Sequence, residues 1–260
     1  MGYLSRKEVA SILGICERQV GRKYTRYIDE GIQGLEHRSF GKESPNRISQ
    51  AERERVIDLA RNKFPDFNLK HLHEHLQKYE SLKMSYSSLK RILNEVGDVK
   101  RPRKKKKARS RRARYHAEGM MLQMDGSHHE WVKGAEKWVL IAGIDDATSD
   151  ILYGEFFKVE SLEGYLEVLR EIFARYGVPR ILYVDRAGWL SGTTRTDEGG
   201  QFQRMCEELG IHLIFANSPQ AKGRIERAWL TLQDRLIAEF RFWGIKTMQE
   251  ATKYFNEQFL

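Results

Sequence analysis

The sequence predicts two kinds of structure in series, small all-α units followed by an α/β core. Three observations predict this. Up to about residue 99, apolar residues recur at helical spacing between Ser caps and Gly stops. Residues 100–114, KRPRKKKKARSRRAR, hold eleven Lys or Arg and no acid. From residue 119 the pattern changes to short β-rich segments punctuated by Gly and Asp, which then alternate with helices. The expected organisation is a helix-turn-helix unit over 1–48, a second helical unit over 49–99, a basic linker over 100–117 and the core over 118–260. The core is expected to be shortened at its C-terminal side.

In the first unit, Ser5 followed by Glu8 reads as a capping box, and Val9, Ile12 and Leu13 form one apolar stripe that Gly14 ends. A second helix from about Glu17 is expected to turn Val20, Tyr24 and Tyr27 or Ile28 inward. It would carry Arg18, Arg22 and Arg26 at i, i+4 spacing on another face, with Lys23 beside them. Two short helices joined by a tight Gly turn, the second with a basic stripe, fit a helix-turn-helix that lays its cations on DNA. An ordinary helical hairpin with solvated arginines fits the same pattern.

Ser49 opens a further helix, SQAERERVIDLARNKF, and FNLKHLHEHLQKY and MSYSSLKRILNEVG follow. The last resembles a recognition helix, with Lys90 and Arg91 outward and Gly97 at its end. Of His71, His73 and His75, only His71 and His75 share a helix face, and no third ligand is evident nearby. They read as exposed helix histidines rather than a metal site.

The basic run concentrates the charge of the chain, because removing its eleven cations from the net +9 leaves −2. Such a run repels itself and cannot pack into a core. Lys104, Lys105, Lys106, Lys107, Arg111 and Arg112 are therefore expected to lie along a polyanion, releasing counterions as they do so. A merely solubilising linker is the alternative.

In the core, MMLQMDG, KWVLIAGIDDAT and ILYGEFFKVE read as an antiparallel meander. A helix capped by Ser161 and stopped by Gly177 and Pro179 follows, then the strand RILYVD, the helix QFQRMCEELG, the strand IHLIFA and a long helix from Pro219. The order βββαβαβα is that of the ribonuclease H-like fold, with right-handed crossovers in its parallel part. Asp125 and Asp185 close two strands that this topology makes neighbours. Glu226 belongs to the helix after the fifth strand, whose buried stripe would be Ile225, Trp229, Leu232 and Leu236. Three hard oxygen donors on a basic protein suit two Mg²⁺ or Mn²⁺ ions and an in-line attack on a phosphodiester. Lys222, Arg224 and Arg227 surround Glu226 where phosphates would approach; a solvated helix face with incidental ion pairs is the bland alternative. Asp197, in TDEGGQF, competes with Asp185 for the second position, Asp145 and Asp146 read as a strand-end turn, and His128 and His129 flank Asp125.

Bulk properties restrict the function further. The chain has 260 residues, enough for more than one core, with 40% hydrophobic and 31% charged residues and a mean hydropathy of −0.62. No apolar run approaches the ~20 residues of a membrane span, and MGYLSRKEVASILG lacks the apolar stretch of a secretory signal. Cys16 and Cys206 form no CxxC spacing, so a reducing compartment is expected, with neither a disulfide framework nor a zinc ribbon.

The stretches QMDGSHHEW, IDDATSDIL, LYVDR and above all ANSPQAKGRIERAWLTLQDRL resemble the DDE transposase and retroviral integrase superfamily, most nearly bacterial insertion-sequence transposases of the ISNCY type. The resemblance implies that Asp125, Asp185 and Glu226 are a catalytic triad binding two divalent metals. It implies water attacking a phosphodiester at a transposon end, the freed 3′-OH then attacking target DNA, and no nucleotide cofactor. The absence of a GxxxxGKS loop agrees. The implied partner is double-stranded DNA, both terminal repeats and target, bound by a homo-oligomer at the nucleoid in the cytoplasm. The chain departs from the family after Asp185, where Arg186, Ala187, Gly188 and Trp189 replace the usual basic residue, histidine and aromatic. The alternative function is a catalytically silent, truncated or domesticated form acting as a DNA-binding regulator.

Overall fold

The computed structural model describes residues 4–37, 40–41, 47–99, 113–185, 198–216 and 225–260. It divides into two compact units, Met1–Arg53 and Glu54–Leu260. Among the described residues no helix is long and apolar enough to cross a membrane.

The first unit holds α1 (Arg6–Leu13) and α2 (Glu17–Glu30), with a 3-10 turn over Gly31–Leu35. The Ser5 hydroxyl accepts from the Glu8 amide while the Glu8 carboxylate accepts from the Ser5 amide, which satisfies donors that the first helical turn would otherwise leave open. Gly14 takes the left-handed conformation, φ 63°, that turns the chain between the helices. Ala10 and Val20 are buried. Tyr24, Tyr27 and Ile28, which the periodicity turns inward, are 58%, 46% and 62% exposed. Two short helices enclose too little volume to cover three large side chains.

The boundary between the units falls within α3 (Gln50–Asp58), which runs on through a wider turn over Leu59–Lys63. Next come α4 (Leu69–Tyr79), capped by Asn68, and α5 (Tyr86–Glu95), capped by Ser85. Val56, Phe64, Leu72, Leu76, Leu89 and Ile92 are buried among these helices, and Lys90 and Arg91 are exposed on α5.

The sheet follows. β1 (Met121–His129), β2 (Trp138–Asp145) and β3 (Ile151–Phe157) form an antiparallel meander; β4 (Ile181–Val184) and β5 (His212–Phe215) add in parallel, giving the spatial order β3-β2-β1-β4-β5. Helices α6 (Leu162–Tyr176), α7 (Glu198–Glu208), α8 (Ile225–Trp243) and α9 (Met248–Tyr254, continued to Phe259) complete it. This strand order and connectivity are the ribonuclease H-like fold.

Alternation along β1 and β2 divides the core into two layers. Leu122, Met124, Val139 and Ile141 pack on α6 and α7, where Tyr165, Val168, Leu169, Ile172, Phe202 and Cys206 meet them. Gly143 lets α6 come this close, because a Cβ there would collide with the Ile172 side chain. On the other face, Leu140, Ala142, Ile144 and Trp138 pack on α8 and α9. The stripe Ile225, Trp229, Leu232 and Leu236, legible from spacing alone, is the buried face of α8. The edge strand β3 is closed by α9: Asn256 exchanges two hydrogen bonds with the backbone of Gly154, at 3.1 and 2.7 Å, and Thr252 accepts from the Phe156 amide.

Candidate active site

β1 and β4 run parallel with Leu122 opposite Leu182 and Gln123 opposite Tyr183. Two residues further along that register, Asp125 lies level with Asp185. The sequence suggests that β1 ends at Asp125, but the strand continues to His129 because β2 goes on pairing with it, Asp125 opposite Ala142. What ends there is the parallel segment, since β4 stops at Val184. Asp125 is half-buried and Asp185 exposed.

Helix α8 lies along β1 and is tied to it twice. The Trp229 indole N–H donates to Asp125 Oδ2 at 3.0 Å, and the Gln233 amide donates to Ser127 Oγ at 3.1 Å. Asp125 and Ser127 are alternate residues of one strand face, and Trp229 and Gln233 are neighbours on one helix face. Glu226 lies three residues before Trp229 in the first turn of α8, exposed, with Arg227 exposed beside it. The structure therefore brings Asp125 and Asp185 to one sheet edge and starts the helix of Glu226 there. The three carboxylates do not close into one tight cluster: among the described residues, the group of three ligand side chains within 4.8 Å of one another lies elsewhere.

Behind these acids stands Tyr165 of α6. Burial first, then the charges of Glu160 and Asp125, the hydrogen bond to Glu160 and the charge of Asp185 push its hydroxyl far above its ordinary range. It stays a neutral donor, giving a 2.8 Å hydrogen bond to Glu160 Oε1. Glu160 also meets His128 Nε2 at 2.9 Å and approaches Gly126 so closely that a Cβ there would strike the carboxylate. Gly126 is thus the residue that lets a further acid stand beside Asp125, a pairing that sequence spacing could not reveal across 34 positions. His129 packs edge-on against Trp131.

Asp145 and Asp146 are buried and engaged in the turn after β2. Asp145 accepts from the amides of Ala147, Thr148 and Gly119; Asp146 accepts from the Tyr115 amide and the Gln123 side chain. On α2, Arg18, Arg22 and Arg26 line one shallow face, with Lys23 on another. Lys104, Lys105, Lys106, Lys107, Arg111, Arg112, Asp197, Lys222 and Arg224 lie outside the described residues.

His71 and His75, expected on an exposed face, are buried against α8 at 2% and 6% exposure. Each Nε2 faces Glu239 Oε1, at 2.6 and 2.7 Å. The third group was invisible locally because it stands 164 residues beyond His75. This contact belongs to a polar seam between the helices, in which Glu74 pairs with Arg235, Asp66 with Arg241 and Asn68 with Asp234.

Residues 19–93 match the family described as a homeodomain-like domain. The chain is 31% identical over 270 residues to y4bF of Sinorhizobium fredii, assigned as a transposase, covering 99% of this chain and 59% of that protein. It is 30% identical over 306 residues to the transposase for insertion sequence IS1202 of Streptococcus pneumoniae, covering 99% and 65%. The chain thus spans about three-fifths of the length of the curated relatives it matches. Among solved structures it is similar to the HTLV-2 integrase catalytic core domain in complex with magnesium, with 14% identity, TM-score 0.43, and coverage of 53% of this chain and 82% of that one.

Proposed function

We propose that this chain, a relative of insertion-sequence transposases, cuts DNA at the ends of a mobile element and joins the freed 3′-OH to target DNA. The supporting observation is the β1–β4 register, along which Asp125 falls level with Asp185, at the edge where the first turn of α8 carries Glu226. The donor set fits divalent metal: three carboxylates without sulfur suit Mg²⁺ or Mn²⁺, and the exposure of Asp185 and Glu226 leaves room for water and phosphate. Asp125, Asp185 and Glu226 would hold two such ions, which when bound neutralise charge on the phosphate and make the attacking water more acidic.

The chain's own residues do the rest. Trp229 holds Asp125 in one orientation, and the buried stripe of α8 fixes where Glu226 can reach. Arg227, with Lys222 and Arg224 before it in sequence, grips the DNA backbone close to the acids. Arg18, Arg22, Lys23 and Arg26 of the 1–48 unit contact duplex DNA, the 49–99 unit adds Lys90 and Arg91, and the basic linker over 100–117 follows the phosphates. In the first step water adds to the scissile phosphorus and the 3′ oxygen leaves as a hydroxyl. That hydroxyl then displaces a 3′ oxygen of target DNA; in this second step one phosphodiester bond is made for the one broken, so no nucleotide is consumed. A homo-oligomer brings both ends of the element together at the nucleoid.

The test is incubation of the purified protein with Mn²⁺ and DNA carrying the inverted repeats that flank its coding region. Nicking and joining are expected, and are expected to vanish in Asp125→Asn and Glu226→Gln while binding persists. Wild type and both variants equally inert but binding equally well would establish a DNA-binding regulator instead.

A further inference from the structure

We propose that His71, His75 and Glu239 form a binding site for one Zn²⁺-class ion that staples α4 to α8. The inference is independent of the acidic edge and of the reaction assigned to it. His71 and His75 sit at i, i+4 on α4, so both imidazoles project from one face. Their Nε2 atoms and a carboxylate oxygen of Glu239 lie within 4.8 Å of one another, and all three residues are buried.

The arrangement around these atoms is that of a metal site. Glu239 Oε2 is already engaged by two donors, the Tyr254 hydroxyl at 2.9 Å and the Trp243 indole N–H at 3.0 Å. That leaves Oε1 as the binding oxygen, and Oε1 is the atom both imidazoles face. Outer partners of this kind fix a ligating carboxylate in place. The rings are held by aromatic walls: His71 stacks on Phe67 at 4.0 Å and 9°, and Phe64, Phe67 and Phe242 meet His75 edge-on. Neither Nδ1 has a hydrogen-bond partner, so no second polar contact resists a small shift of either ring.

Tetrahedral zinc with N and O ligands separates neighbouring donor atoms by about 3.3 Å, so Oε1 must draw back by roughly 0.6–0.7 Å from each nitrogen to admit the ion. Two imidazoles and one carboxylate make a three-ligand set that leaves a fourth position for water. A cavity of about 430 Å³, lined by His71, His75, Glu239, Glu74, Arg235 and Tyr254, has room for that water. Because α4 and α8 are far apart in sequence, an ion bound only when they meet adds its binding energy to their docking. The set contains no sulfur and sits apart from Asp125, so zinc here would serve structure rather than phosphoryl transfer.

The test uses the full chain, stripped with EDTA and desalted, then titrated with Zn²⁺ against a chromophoric chelator and with Co²⁺ while the visible spectrum is recorded. About one equivalent of zinc per chain is expected, with a rise in melting temperature and a four-coordinate Co²⁺ band. Glu239→Gln and His75→Asn are expected to lose that equivalent, whereas the double variant Asp125→Asn, Asp185→Asn keeps it. Should the α4–α8 variants fail to fold, X-ray absorption of zinc-loaded wild type decides: imidazole nitrogen and oxygen scattering supports the site, and sulfur scattering overturns it. Folded wild type that takes up no zinc, or uptake unchanged in Glu239→Gln, also overturns the proposal.

Discussion

Helix α8 carries two carboxylates in opposite circumstances. Glu226, in the first turn, is exposed beside a cation at the edge of the sheet; Glu239, about 20 Å further along the helix, is 4% exposed. Two donors, the Tyr254 hydroxyl and the Trp243 indole N–H, and two imidazole nitrogens, those of His71 and His75, surround it. Burial alone would raise the pKa of Glu239, but the hydrogen bonds from His71, His75 and Tyr254 hold it well below the usual carboxylate range. An exposed acid can exchange water and phosphate for its ligands at little cost, whereas a buried one is committed to whatever surrounds it. The same side chain on the same helix is therefore open to solvent and ligands at one end and committed to packing near the other.

The largest expected effect falls on catalysis at the exposed end. Asp125→Asn or Glu226→Gln should lower Mn²⁺-dependent DNA nicking by at least about 10²–10³-fold, measured on labelled substrate, with the melting temperature nearly unchanged. The comparison reverses in stability. Glu239→Leu leaves two buried donors and two buried imidazoles without their shared carboxylate and should cost about 3 kcal/mol in urea unfolding, whereas Glu226→Leu should stay within about 0.5 kcal/mol. Equal costs at the two positions would dissolve the contrast. A smaller effect is expected where the acidic edge and the core meet: Trp229→Phe keeps the buried ring but removes the N–H that holds Asp125, costing about 1 kcal/mol and roughly tenfold in nicking. The smallest effect on the chemistry belongs to the linker. Deleting residues 100–114 should flatten the dependence of log affinity on log salt by about 0.9 for each phosphate the linker neutralises, read by fluorescence anisotropy, with cleavage at saturating DNA preserved.

The placement of the exposed acids was largely legible in the sequence because its cues are local. Asp185 directly follows a strand, Glu226 lies in the first turn of a helix whose apolar stripe sets its rotation, and the order of elements makes β1 and β4 neighbours. The extension of β1 past Asp125 was not legible, since it depends on how far β2 pairs. Neither the hydrogen bond from Trp229 nor the approach of Glu160 through Gly126 leaves a trace in spacing, because both join residues distant along the chain. The buried site was half legible. The i, i+4 histidines stood out, but their burial and their third partner came from the packing of α4 on α8. Tyr24, Tyr27 and Ile28 mark the opposite failure: their periodicity is helical, yet a two-helix unit has too little interior to hide them.

Binding of divalent metal by the carboxylates at the β1–β4 edge is tested by anomalous diffraction from crystals of the protein soaked in Mn²⁺. A manganese peak is expected between the carboxylates of Asp125 and Asp185, and it is expected to disappear in Asp185→Asn. A manganese peak only at other acids, with none between Asp125 and Asp185, would contradict it.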